Sequence, residues 1–360
     1  MSERRGRALA AAAGKPLLSA DLGTVTWLTG IATDIEVGPS PFTAPPLVVL
    51  DPDGSITAVA SEDEAPGVAR GVEAATFPGF AVEDVDRASL ARDIVLDAIG
   101  GARELAVELD SLPGDLVVAL AERGVALTDV RERLRAARAI KDPDEVEAIR
   151  AAISISDAGQ AAAREAATAG ATELAIWASV RSSMEEAAGG RIPVLADLVS
   201  GERTAEVGGP PTQRRLEAGD LVLVDLVPRL GAYWADSCAT VSVGEPAEVA
   251  RDAHAASVAA LEEAVELCRP GARAGEVDAR ARQVIETAGG SYPHHTGHGI
   301  GVTFHEEPRV IPESDRILEE GMVVALEPGM YGQGFGVRVE QVVLVTASGA
   351  EILSGHDVSL

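Results

Sequence analysis

LVLVDLVPRLGAYWADSCAT, residues 221–240, decides the fold. The run Leu221-Val222-Leu223-Val224 is aliphatic and β-branched and ends on Asp225. A second carboxylate, Asp236, follows Gly231 and the aromatic pair Tyr233-Trp234. The pattern predicts two adjacent strands with an irregular connection through Pro228 to Gly231. Each carboxylate falls where an apolar strand runs out, in a protein interior. An ionised carboxylate there is very costly unless it is paired or bound to a metal. Two of them side by side need a cation.

Three more polar residues sit in apolar settings near the C-terminus: His298 in HHTGHGIG, Glu327 in VVALEPGMY and Glu340 in GVRVEQVVLV. With Asp225 and Asp236 they make five potential ligands, four carboxylates and one imidazole. An oxygen-rich set of this kind suits manganese, cobalt or iron, with zinc also possible. Four carboxylates exceed the need of one divalent ion, so the set reads as a two-metal site with bridging carboxylates.

The ligand spacings are 11 residues from Asp225 to Asp236, 29 from His298 to Glu327 and 13 from Glu327 to Glu340. With the words GHGIG, HEEP, EPGMY and GVRVE, the set resembles the metallopeptidase family of methionine aminopeptidases, prolidases and Xaa-Pro aminopeptidases, the pita-bread fold. The likeness covers roughly residues 140–350 and, more weakly, the N-terminal part. It implies an α/β (α+β) protein with a creatinase-like N-terminal domain over 1–138 and a pita-bread catalytic domain over 139–360. It also implies a homodimer and two divalent ions, manganese first, with cobalt, iron or zinc as alternatives. In the family pattern Asp236 and Glu340 bridge the ions, Asp225 completes one site, and His298 and Glu327 complete the other. Glu327 is also the proton shuttle, and His305 donates to the scissile carbonyl. His294 and Tyr331 match positions that line the family's active site. Arg338 is positioned by strand alternation to orient Glu340 or to bind a substrate carboxylate. His295 reads as incidental. The substrate implied is a small peptide with proline after the scissile bond.

The chain departs from the family at one conspicuous place. The stretch VSGERTAEVGGPPTQRRLEAGD, 199–220, resembles the segment that supplies an active-site histidine 17 residues before the first Asp, but Gly208 stands there. If the missing imidazole limits activity, Gly208→His is expected to raise Xaa-Pro hydrolysis. Val227 replaces a usual Gly, Cys238 a usual Thr and Gln341 a usual Asp. Cys238 reads as a buried thiol. The departures keep open a hydrolase of a non-peptide C–N bond, as in creatinase or ectoine-type hydrolases. A non-catalytic binding protein on the same fold is a further alternative.

Composition limits the partners. The chain has 57 acidic and 30 basic residues among 360, a formal charge of −27. Like-charge repulsion disfavours nucleic acid and anionic membranes. Two cysteines, Cys238 and Cys268, do not make a disulfide framework. The N-terminal alanine run is short for a signal peptide, and a cytoplasmic location is expected.

Elsewhere Thr24–Leu28 and Pro46–Leu50 read as strands, and Ile56–Ala60 as the second arm of a hairpin after the turn DPDG. Helices are expected at Ser89–Ile99, at Asp115–Arg123 with Asp115 as cap, from Asp142-Pro143-Asp144-Glu145 onward, and at Thr172–Ala188, Glu248–Cys268 and Ala274–Ala288. HEEP at His305 is not expected to be a helical zinc motif, because Pro308 follows.

Overall fold

A computed structural model describes residues 2–33, 43–80 and 84–360. The chain divides into two compact units, Met1–Arg138 and Ala139–Leu360. The first is built on a six-stranded mixed sheet, in the order Glu73–Phe77, Ile56–Ser61, Leu47–Leu50, Leu17–Ser19, Glu104–Val107, Ala126–Asp129. The two strands around DPDG pair antiparallel, Leu47 opposite Val59. Helices Arg87–Ala98 and Gly114–Glu122 cover one face and close a core with Leu18, Val49, Leu105 and Leu120.

Two expectations fail in this unit. Thr24–Leu28 is not a strand: Leu22–Thr29 is a helix. Asp21 caps it by accepting from the Thr24 N–H at 2.9 Å, and Gly30 ends it at φ 82°, a left-handed conformation glycine adopts without strain. Residues 23–29 are all buried, so packing on every side overrides the β-propensity of its threonines and valine. Asp115 is not a cap either. The helix Gly114–Glu122 begins after Pro113, which leaves Asp115 in the first turn, where its charge suits the helix dipole.

The second unit contains two sheets, each covered by a pair of helices. Pro143–Ala166 and Glu173–Ala188 pack on a sheet ordered Ser237–Ser242, Leu221–Leu230, Val194–Ser200. The Glu145 carboxylate accepts from the Asp142 N–H at 2.9 Å, as expected at this helix start. Glu248–Leu267 and Ala274–Thr287 pack on a five-stranded sheet ordered Glu306–Val310, Gly297–Gly299, Val323–Leu326, Gln341–Thr346, Gly349–Ile352. A hairpin, Gly329–Gly332 with Phe335–Arg338, stands beside it. HEEP begins a strand rather than a helix.

The central strand runs further than its apolar pattern suggests. Leu221–Leu230 continues through Asp225 and Pro228, so Asp225 lies mid-strand instead of at its end. Asp236 immediately precedes the strand Ser237–Ser242, in which Cys238 lies opposite Asp225. Cross-links join the two sheets at this point. The Glu340 N–H donates to the Cys238 carbonyl at 2.9 Å, and the Trp234 N–H to the Gly301 carbonyl at 2.9 Å. Thr240 Oγ1 donates to the Arg338 carbonyl at 2.9 Å and accepts from the Arg338 N–H at 3.0 Å. The backbone thus fixes Glu340 and Arg338 relative to the two aspartates. No helix of the described residues is long and apolar enough to cross a membrane.

Candidate metal centre

A cavity of about 420 Å³ opens between the two sheets of the second unit. Asp225, Asp236, His298, Glu327 and Glu340 all line it, together with His294, His305 and Arg338. The ligand atoms of Asp236, His298 and Glu340 lie within 4.8 Å of one another. Tyr331 reaches the group through its hydroxyl, described below.

Backbone geometry explains how His298 arrives there. It is flanked by Gly297 and Gly299 in a strand sandwiched between two others. A Cβ at Gly297 would stand 2.1 Å from the Ala325 carbonyl oxygen, and one at Gly299 2.1 Å from that of Glu307. Neither position admits a side chain. The His298 Nδ1–H donates to the Gly299 carbonyl at 3.0 Å, which leaves the Nε2 lone pair facing Asp236 and Glu327, each 3.5 Å away. A lone pair aimed at two carboxylates is repulsive unless a cation sits between them.

The electrostatics point the same way. Burial, reinforced by the Asp225 and Glu327 charges, raises the Asp236 carboxyl well above its ordinary range. Burial and the Asp236 charge do the same for Glu340. Asp225 is pushed up to about 6 by burial, against the pull of Arg338. Glu340 Oε1 is buried without a hydrogen-bond partner. Burial lowers the imidazoles of His298 and His294 to about 4 and lowers His305 as well, so all three are neutral at neutral pH. Neutral imidazole beside buried carboxylates, one with an orphaned oxygen, is the donor set that a divalent cation requires. The five residues therefore fit the implied metal.

Around them the polar side chains are tied into place. Arg338, 3% exposed, donates from Nη2 to Asp225 Oδ2 at 2.5 Å, and from Nη1 to the Val207 carbonyl at 2.9 Å and the Tyr331 hydroxyl at 3.2 Å. Its strand ends at Arg338 and the next begins at Gln341, so alternation does not carry through to Glu340, and the carboxylate it orients is Asp225. The His294 Nδ1–H donates to the His295 carbonyl at 2.8 Å, and its Nε2 accepts from the Tyr331 hydroxyl at 3.1 Å. His305 packs its ring 4.1 Å from that of His298.

Two residues of the cavity escaped the sequence reading. His295 is not incidental: its Nε2–H donates to Glu327 Oε1 at 2.7 Å. Burial pushes the Glu327 carboxyl up, but the His295 hydrogen bond and the Arg338 and His298 charges outweigh it and bring it down to about 2. The density of histidines in 294–305 was the available signal. Asp197 is the other. It lies opposite Asp225 on the neighbouring strand and fills the space beside Gly208, where an added Cβ would meet Asp197 Oδ2 at 2.0 Å. No motif surrounds it in the sequence.

Comparison with known proteins gives a consistent picture. The model of metallopeptidase family M24 matches residues 147–347. The chain is 37% identical over 224 residues to the Xaa-Pro dipeptidase of Pyrococcus furiosus, an alignment covering 61% of this chain and 64% of that one, just under two-thirds of the relative's length. It is 35% identical over 263 residues to the probable dipeptidase PepE of Mycobacterium tuberculosis, covering 71% and 70%. The prolidase structure from Pyrococcus horikoshii superposes with a TM-score of 0.83 at 28% identity, over 99% of both chains. The dipeptidase PepE structure from Mycobacterium ulcerans gives 0.82 at 29%, over 100% and 96%.

Proposed function

Because the chain belongs to metallopeptidase family M24 and has the pita-bread architecture of the prolidases it matches, we propose that it hydrolyses the bond before proline in Xaa-Pro dipeptides or short Xaa-Pro peptides. The observation that carries this reading is the convergence of Asp225, Asp236, His298, Glu327 and Glu340 on one cavity. These five would hold two divalent ions, manganese first among manganese, cobalt, iron and zinc. When bound, such ions polarise a carbonyl and supply a water acidic enough to attack at neutral pH.

The remaining steps belong to side chains. Glu327, kept ionised by His295, accepts the proton of the attacking water and returns it to the leaving proline nitrogen. His305, neutral and facing the cavity, serves as donor to the developing oxyanion. The one N–H of neutral His294 is given to the His295 carbonyl and its Nε2 is held by the Tyr331 hydroxyl, so His294 shapes the cavity wall. Arg338 and Tyr331 hold Asp225 and His294, so in this reading they position a ligand and an imidazole of the cavity wall. Residues 1–138 act as a creatinase-like N-terminal domain and 139–360 as the catalytic domain of a homodimer. Free, buried thiols at Cys238 and Cys268 suit a cytoplasmic location.

The test is proline release from Xaa-Pro dipeptides and tripeptides by metal-stripped protein resupplied with each metal, with Asp225→Asn as control. Metal-dependent release, lost in the control, is expected. Stoichiometric metal without turnover of any Xaa-Pro bond would overturn the reading. Such a result would favour the non-peptide C–N alternative, in keeping with Gly208 where the family pattern has a histidine and with the Asp197 carboxylate lying against it.

A further inference from the structure

Two departures of this chain from the family pattern lie near Asp197: Gly208 abuts its carboxylate, and Val227 lines the same cavity. The strands Val194–Ser200 and Leu221–Leu230 pair Asp197 with Asp225 and Leu195 with Val227. Residues two apart on a strand share a face, so Leu195 and Asp197 stand side by side, opposite Val227 and Asp225. All four line the cavity, and Val207 lines it as well.

The strand that carries Asp197 and the loop facing it are anchored. Its strand is locked to the facing loop by the Leu198 N–H, which donates to the Gly209 carbonyl at 2.9 Å. Arg203 Nη2 donates to the Pro210 carbonyl at 3.0 Å, and Arg338 Nη1 holds Val207 at 2.9 Å. Val207 adopts φ 74°, a conformation β-branched residues avoid, so the loop is pinned against local strain. Between these anchors the Asp197 carboxylate lies against Gly208, with Oδ2 2.0 Å from where a Cβ at that position would stand.

Asp197 is also without a partner. Among the described residues no hydrogen bond or ion pair reaches its carboxylate. Five carboxylates line the cavity, and the implied ions offset the four that would ligate them. The nearby guanidinium of Arg338 is spent on Asp225, Tyr331 and Val207. The half-buried Asp197 therefore remains an unpartnered carboxyl group on an anchored strand, flanked by the aliphatic side chains Leu195, Val207 and Val227. An aliphatic stem with a cationic tip complements that wall, as lysine and arginine side chains do when they lie along apolar surface.

We propose that Asp197 determines specificity, accepting the ammonium or guanidinium of a Lys or Arg residue immediately before the scissile bond. The proposal rests on the Xaa-Pro reading above, in which that side chain is the variable part of the substrate.

The experiment compares kcat/KM for Lys-Pro, Arg-Pro, Glu-Pro and norleucine-Pro with the metal-loaded full chain. Norleucine has the lysine stem without its charge. Lys-Pro and Arg-Pro are expected to exceed norleucine-Pro by on the order of tenfold, the scale of one partly desolvated ion pair, with a ratio that falls as salt rises. In Asp197→Asn the ratio should collapse toward one, and in Asp197→Lys the preference should turn to Glu-Pro. Metal content and thermal unfolding of each variant check folding. A ratio near one in the unaltered chain would overturn the proposal, whatever the variants do. So would a ratio that survives Asp197→Asn, or a loss shared equally by all four dipeptides, which would mean a role common to every substrate. If no dipeptide turns over, the Xaa-Pro reading falls, and calorimetric binding of Lys-Pro against norleucine-Pro judges Asp197 separately. A Lys-Pro preference lost in Asp197→Asn sustains it there, and equal or undetectable binding overturns it.

Discussion

Arg338 shows how much one buried side chain carries. It joins a proposed ligand, Asp225, to the strained loop residue Val207 and to Tyr331, which in turn binds His294. A lysine would keep the charge but cannot place three donors in a fixed fork. Arg338→Lys is therefore expected to weaken metal binding by about 10- to 100-fold, the usual cost of losing a group that orients a ligand. Competition with a chromophoric chelator measures this directly. Unchanged affinity would mean that Asp225 needs no orienting partner. The four carboxylate ligands were legible in the sequence because each interrupts or ends an apolar run, where a charge demands a reason, and His298 because of the GHGIG motif and its spacing to Glu327. Asp197 and His295 were not legible. Asp197 sits on a short strand whose partner is fixed only by tertiary pairing. His295 is one of several adjacent histidines, and backbone direction alone decides which of them face the carboxylates.

At the scale of elements, the segment 300–310 presents His305 to the cavity from a turn rather than from a regular strand. Its anchor is a buried ion pair. Lys141 Nζ donates to Glu306 Oε2 at 2.9 Å, with the two side chains 1% and 2% exposed. The other Glu306 oxygen accepts from the Thr303 N–H at 3.1 Å and from Thr303 Oγ1 at 3.2 Å. Removing one partner of such a pair strands a buried charge, at a cost of about 3–5 kcal/mol. Glu306→Ala is expected to destabilise the chain on that scale in urea unfolding, whereas Lys141→Met combined with Glu306→Leu should cost far less. Equal losses in the single and double variants would show that packing, not charge, holds the turn. Helix ends were readable wherever a cap preceded an amphipathic run, as at Asp142 and Thr172. Thr24–Leu28, within the helix Leu22–Thr29, reads as a strand because burial on all sides erases the periodicity that separates helix from strand.

For the molecule as a whole, the metal-free cavity is a reservoir of misplaced charge, and its pH dependence has a definite sign. Asp225 titrates near 6 in the folded chain against 3.8 for the unperturbed group, and Asp236 and Glu340 are raised in the same direction. The folded state then binds protons that the unfolded chain has released. The stability these groups contribute is complete below about pH 4 and is lost, for Asp225, as pH rises through about 6. Glu327 has the opposite sign, since it is lowered to about 2 from 4.5, but its contribution disappears only as pH falls below that higher value. Between pH 5 and 7.5 the raised group dominates, so metal-free protein pays increasingly for unneutralised carboxylates as pH rises. Metal ions that bind these carboxylates should reverse the penalty. The rise in unfolding temperature on adding manganese is expected to grow across that range, approaching a stabilisation of about 4 kcal/mol at a free metal concentration a thousandfold above Kd. Calorimetric titrations at pH 6 in buffers of different ionisation enthalpy should detect proton release on metal binding, because the ligands must ionise to coordinate. A metal-induced shift independent of pH, with no protons released, would mean that the carboxylates are already ionised in the empty cavity and that another cation, such as Arg338, suffices to neutralise them.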